Sequence, residues 1–244
     1  MTEFHRALIE VTIAAPAEEV WRSLRDPARI AQWFGWDSDS LKAEIDMIFM
    51  KPGRADDARR TMTFMSDRFE VEPRGKDSCV LRVMRPAPAE GTDWEDIFED
   101  LTQGWLAFVG QLRFAVERHP DHKRRTLFVS GAPLAAGQPL AGKALGLPAE
   151  GAAGAPYATT APMGDALAGR IWYRGRHQLQ VTVDGVGDGL LVVMDRQPDE
   201  KRPKGHSQVI LTTYGLDDRT FDELAARWRT WWTAHFDSSM PGCE

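Results

Sequence analysis

Phe98-Glu99-Asp100-Leu101 with Trp105 behind it, and Phe221-Asp222-Glu223-Leu224 with Trp228 behind it, repeat one motif at identical spacing. Each lies in a run where large apolar residues recur every three or four positions, the period of a helix packed along one face. Trp94, Phe98, Leu101, Trp105, Phe108 and Leu112 make the first stripe, and a helix running to about Arg118 is long enough to cross a sheet. Thr92 with Glu95, and Thr220 with Glu223, read as capping boxes. Alternating, strand-like runs precede both helices. A duplicated sheet-plus-helix unit accounts for this pattern; two amphipathic helices alike by chance are the competing explanation. The hydrophilic run 119–123 is the natural connection. Two domains are predicted, 1–120 and 121–244.

The first half has more to read. Residues 4–13 end in apolar/polar alternation and predict a strand. Pro16, acidic Glu18 and Glu19, and the apolar Ala17, Val20, Trp21 and Leu24 predict a short helix to about Arg25. Asp26-Pro27 breaks it and opens a second helix, Ala28 to Phe34. From Leu41 to Pro88 the pattern predicts strand after strand: LKAEIDMIFM, TMTFMSDRFEVEP and CVLRVM, joined as antiparallel hairpins. In the second half RTLFVSG, RIWYRGRHQLQVTVDG, GLLVVMD and HSQVILTTYG read as strands. Residues 132–169 are rich in Ala, Gly and Pro, with a short helix near Leu140–Leu145, and a last helix spans Asp218 to about Phe236. Met65-Ser66-Asp67-Arg68 resembles Met194-Asp195-Arg196 as a second echo of the repeat.

The segment IEVTIAAPAEEVWRSLRDPARIAQWF resembles the opening of the SRPBCC (START/Bet-v-1-like) superfamily, and more closely its branch named for the activator of the heat-shock-protein-90 ATPase. The resemblance covers residues 1–118. Over 124–236 it rests on the strands and final helix alone. It implies an α+β helix-grip fold, a curved antiparallel sheet wrapped around a long carboxy-terminal helix, here in two tandem units. It also implies a cavity between sheet and helix, where such proteins hold lipids, sterols, polyketides or other apolar molecules. Trp33, Phe34 and Trp36 would then stand near the cavity mouth, with Phe64, Trp105 and Phe108 as further lining. For each, ordinary core packing is the competing reading.

Charge and motifs narrow the function classes. A net charge of −6, from 30 Lys and Arg against 36 Asp and Glu, argues against nucleic acid as a partner, which needs a clustered basic face. No run approaches the ~20 apolar residues of a membrane span. The start shows no secretory leader, and Cys79 and Cys243 lie far apart, so a cytoplasmic, reduced protein is expected. No metal or cofactor motif is present: the two histidines of His119-Pro120-Asp121-His122 lack further ligands, and the glycines of 184–189 lack the spacing of a dinucleotide loop. Ser130-Gly131 has no nucleophile-elbow context, and Asp67-Arg68 reads as a solvated pair on opposite strand faces. Trp228, Trp231 and Trp232 span more than one helix face, so one ring is expected to leave its own core, toward the other unit or toward a second chain in a homodimer.

Three functions remain. The first is non-catalytic binding of a small apolar or aromatic ligand, with no catalytic residues. The second is an enzyme of the polyketide cyclase or hydratase kind in the same cavity. The third is a co-chaperone-like interaction module. An enzyme requires ionisable groups converging in the cavity; a carrier requires an apolar lining; a module requires a filled core and an exposed apolar patch.

Overall fold

The computed structural model describes residues 4–50, 55–64, 67–86 and 95–237. The chain divides into two compact units, Met1–Asp121 and His122–Glu244. Both are α+β, each an antiparallel sheet with a long helix after its last long strand.

In the first unit β1 (Phe4–Ile13) leads into α1 (Ala17–Arg25), α2 (Pro27–Ile30) and α3 (Leu41–Phe49). Asp26 separates the first two helices because its carboxylate accepts the Ala28 N–H at 2.8 Å, an N-cap followed by proline in the first turn. Strands β2 (Ala55–Asp56), β3 (Thr61–Phe64), β4 (Asp67–Pro73) and β5 (Cys79–Pro86) follow, then α4 (Glu95–Arg118). The sheet order is β1-β5-β4-β3-β2, so the first strand closes on the last and the others meander. Ile9, Phe69, Val71, Leu81 and Val83 of the sheet pack with Trp105, Val109 and Leu112 of α4.

The second unit runs β6 (Arg124–Pro133), α5 (Ala141–Ala144), β7 (Pro156–Thr160), β8 (Ala166–Arg174), β9 (Gln178–Val183), β10 (Gly189–Arg196), β11 (His206–Tyr214), α6 (Asp218–His235) and β12 (Phe236–Asp237). Its order is β12-β6-β11-β10-β9-β8-β7. Again the first strand, β6, pairs with the last strand before the helix, β11. One sheet face carries Leu127, Val129, Val181, Val193, Val209 and Leu211 into a core completed by Phe221, Leu224 and the three tryptophans of α6.

Several local expectations are corrected. Residues 41–49 are helix, not strand: Ile45 and Phe49, four apart, are the buried pair, and Leu41, Lys42, Ala43, Glu44 and Met47 are good helix formers in a run that alternates only by accident of a short window. TMTFMSDRFEVEP is two strands, β3 and β4, paired with Phe64 opposite Asp67. Its connection, Met65-Ser66, carries no glycine or proline to announce a turn. RIWYRGRHQLQVTVDG is likewise β8 and β9, closed by the Gly175 N–H on the Gln178 carbonyl at 2.8 Å. The second helix ends at Ile30, with Trp33 and Phe34 in the tight turn that follows. The Gly/Pro-rich segment holds an unforeseen hairpin strand, β7.

At the carboxy-terminal helix the cap is Asp217, whose carboxylate accepts the Thr220 N–H at 2.7 Å, while Glu223 pairs with Arg219. The Thr92–Glu95 box lies outside the described residues. Leu101, assigned to the buried stripe, is 44% exposed. All three α6 tryptophans are buried in their own unit's core. Phe236 supplies the second wall: it returns along β6 and stacks on Trp232 with ring centroids 4.1 Å apart.

Candidate functional site

The aromatic residues singled out in the first unit come together, ring against ring. Trp33 is 1% exposed and donates its indole N–H to the Ser23 carbonyl at 2.8 Å. Its ring meets Phe34 and Phe49 edge-on, at 6.0 and 5.6 Å. Phe34 in turn lies 4.9 Å from Phe108, and Trp105 contacts Phe69 at 5.0 Å. Trp36 is half-buried beyond this group, and the Phe64 side chain lies outside the described residues. Phe49 and Phe69, absent from the sequence candidates, complete the cluster. Edge-to-face packing is the preferred geometry of such rings and adds to their burial.

Asp67 is not solvated. It forms a two-pronged pair with Arg85, Nε on Oδ1 and Nη2 on Oδ2, each at 2.7 Å, and both side chains are 7% exposed. Arg85 Nη1 also donates to Thr102 Oγ1 at 3.0 Å. Arg68 points the other way, as strand alternation requires, and pairs with Glu70. The suspected equivalence of Asp67 and Asp195 fails on topology: Asp67 begins the strand next to last, whereas Asp195 lies near the end of its counterpart. Cys79 is buried, and desolvation first, then the nearby Glu117, pushes its thiol up to about 11, which leaves no thiolate for chemistry.

An open cleft lies in the second unit. Its volume is about 570 Å³, within the ~300–1,000 Å³ usual for small-molecule sites. Leu147, Leu179 and Val193 supply the apolar part. One wall is α5 and the loop after it; the other is the β8–β9 turn; Asp195 of β10 stands between them. Arg174 shapes the mouth. Its guanidinium donates to the carbonyls of Pro148, Ala149, Glu150 and Gly151 at 2.8 to 3.2 Å, which pins the 148–151 loop.

Asp195 is held from two elements. Ser207 Oγ donates to its Oδ1 at 2.7 Å and the Gly142 N–H to its Oδ2 at 2.9 Å. Ser207 Oγ accepts the Ala141 N–H at 3.0 Å, so strand, hydroxyl and helix start form one network. Burial raises the Asp195 carboxyl above the ordinary 3.8, and the hydrogen bonds from Ser207, Gly142 and Ala141 oppose it without cancelling it. The Ser130 hydroxyl lies 2.9 Å from His206 Nε2, a nucleophile-and-base pairing, but both residues sit on the sheet face opposite to Ser207 and Asp195. Sequence reasoning passed over Asp195 because its neighbours in the cleft come from turns and from the segment 142–149. Among the described residues no group of three His, Cys, Asp or Glu is placed to hold a metal, and no helix is long and apolar enough to cross a membrane.

No family model and no curated protein matches the chain. Solved structures similar to it include the following three. One is DynU16, a protein in the dynemicin biosynthetic locus: 19% identity, 93% of this chain and 94% of that chain covered, TM-score 0.29. Another is the di-domain ARO/CYC BexL from the BE-7585A biosynthetic pathway, at 15% identity, 93% and 92% coverage and TM-score 0.36. The third is the di-domain ARO/CYC StfQ from the steffimycin biosynthetic pathway, at 13% identity, 93% and 91% coverage and TM-score 0.33.

Proposed function

We propose that the two units are tandem helix-grip domains and that the second one carries an enzyme-like site of the cyclase or hydratase kind. A small, partly apolar carbonyl compound lies in the cleft, and Asp195 exchanges a proton with it. The supporting observation is Asp195 itself: a carboxyl with a raised pKa, held by Ser207 and Gly142, on the lining of a cleft of small-molecule size. A simple carrier needs no such group. The interaction-module reading needs a broad exposed apolar patch. Large exposed apolar side chains among the described residues are Met47 on α3, Leu101 on α4 and Leu134 beyond β6, one on each element.

A shared pattern supports the tandem reading: in each unit the first strand lies on the last strand before the long helix and the rest meander, the second sheet adding β12 and one further strand. Asp195 accepts a proton in its ionised form and returns it from its neutral form, and a raised pKa brings both forms closer to neutral pH. The apolar lining orients the ring of the ligand toward it.

Calorimetric titration of the full chain with 2-naphthol tests the cleft. Binding with Kd in the ~10 μM range is expected. Ala149→Trp, an exposed rim position that fills the mouth without entering the core, should weaken it at least ~tenfold. Exchange of the α-protons of 2-acetylnaphthalene into deuterium oxide, followed by NMR, tests the chemistry. It should be accelerated by the native chain and return to the buffer rate in Asp195→Asn. Naphthol binding indifferent to Ala149→Trp would place the site elsewhere, and exchange unaffected by Asp195→Asn would remove Asp195 from the chemistry.

A further inference from the structure

Charge in the cleft runs against charge in the chain. The whole sequence is acidic, with 36 Asp and Glu against 30 Lys and Arg. The cleft lining instead brings Lys143, Arg174 and Arg176 around the single carboxylate of Asp195. Asp195 is already engaged by Ser207 and Gly142 rather than by any of these cations. Arg174 spends its donors on four backbone carbonyls, which hold its position and leave its charge unmatched by a carboxylate. Lys143 and Arg176 are exposed, come from opposite walls, and form no ion pair among the described residues. Leu179 and Val193, by contrast, are half-buried and buried, and form the inner part.

An apolar floor beneath a cationic mouth selects an amphipathic anion. Lys143 and Arg176 present donors to water at the rim, and Arg174 adds a fixed positive potential beside them. From this juxtaposition we infer that the natural ligand of the cleft carries a carboxylate at the end away from its ring, docked between Lys143 and Arg176, with the apolar body against Leu147, Leu179 and Val193. This deepens the reading of the cleft as the functional site and rests on it. It adds a substrate class: ring-bearing acids rather than neutral aromatics.

The test compares 2-naphthoate with 2-naphthol, which share a ring and differ in charge at neutral pH. Calorimetric titration of the full chain at low ionic strength should show naphthoate binding about tenfold more tightly, the size expected of two solvent-exposed charge contacts. The advantage should shrink as salt is raised, since exposed charges are screened beyond ~10 Å at 0.1 M. In Lys143→Gln/Arg176→Gln the ratio of the two Kd values should fall to about one. Both substitutions are on exposed side chains, so folding is not at stake, and circular dichroism confirms it. Equal affinities in the native chain, or a preference that survives the double substitution, would overturn the inference while leaving the cleft as a binding site. Saturable binding of neither probe would overturn the reading of the cleft and the inference with it.

Discussion

The Asp67–Arg85 pair allows a sharp energetic test of the first unit. Both side chains are 7% exposed, the two N–H···O contacts are 2.7 Å each, and Thr102 satisfies a further donor. Desolvating two charges is costly, and the pair repays that cost only through its geometry. Removing one partner therefore takes away the two-pronged contact that offsets the desolvation of the other. Asp67→Ala should destabilise by about 3–5 kcal/mol, a large share of the ~5–15 kcal/mol that holds a typical domain folded. Arg85→Ala should cost a similar amount, and also removes a donor from Thr102. The double replacement Asp67→Leu/Arg85→Met behaves differently, because no charge is left behind. It should lie within ~1 kcal/mol of the native chain or above it, as well-packed apolar substitutes for buried ion pairs often do. Urea titration followed by tryptophan fluorescence reads all three, in the transition assigned to the first unit. Because the chain has two units, the transition must be fitted as two steps where the traces show two. If Asp67→Ala costs under ~1 kcal/mol, water reaches the guanidinium and the pair is not the buried contact its exposure indicates. If the double variant is as unstable as either single one, the network does more than neutralise its own charges, and the reasoning from desolvation is refuted.

Two further outcomes follow from the geometry. Trp33→Ala should destabilise the first unit by ~3–5 kcal/mol, through the lost ring and the cavity left beside Phe34 and Phe49, and Trp33→Phe by distinctly less; denaturant midpoints compare them, and a loss below ~1 kcal/mol would mean the ring is not core. For Asp195, the folded carboxyl binds its proton more tightly than the unfolded one, so its contribution to stability is greatest below the ordinary 3.8, falls as pH rises through the raised value, and is level above it; the difference in pH–stability profile between the native chain and Asp195→Asn isolates this component, and a contribution that grows with pH would reverse the assigned direction.

Long elements with strong periodicity were legible in the sequence. The α4 and α6 helices and β1 fall where helical spacing or alternation puts them, and β10 and β11 stand out as apolar runs buried on both faces. The failures share a cause. Residues 41–49 fit both periods over so short a window, and only the burial of Ile45 and Phe49 together decides for helix. Met65-Ser66 between β3 and β4 offers no turn residue, and between β8 and β9 a single Gly175 reads as an interruption within one strand, so two strands read as one. The candidate site was less legible still. Trp105 and Phe108 could be named because large rings at helical spacing stand out, whereas Trp33 and Phe34 follow only from the family resemblance. Asp195 could not, since what distinguishes it is a hydroxyl on β11 and an N–H on α5, distant in sequence and unmarked by any motif.

The two units reach different ends from one strand pattern because of what lies between the first strand and the meander. In the first unit that segment forms α1, α2 and α3, and it delivers Val20, Trp21, Leu24, Trp33, Phe34, Ile45 and Phe49 into the core. Seven side chains, five on helices α1 and α3 and two in the turn after α2, pack against the inner side of a five-stranded sheet. In the second unit the corresponding segment forms one four-residue helix, α5, followed by a chain whose shape is set by Gly146, Gly151 and Gly154, all with positive φ, and by the Arg174 clamp. It buries Leu140, Ala141, Leu145 and Leu147, and no aromatic ring. Small and conformationally permissive residues cannot fill the volume that tryptophan and phenylalanine fill. Space is left at the polar end of the sheet, where Ser207 and Asp195 face inward instead of the valines and leucines of the preceding rows. The Gly-rich segment after β6 is thus the one that walls the cleft and, through the Gly142 N–H, joins Ser207 in holding the carboxylate within it.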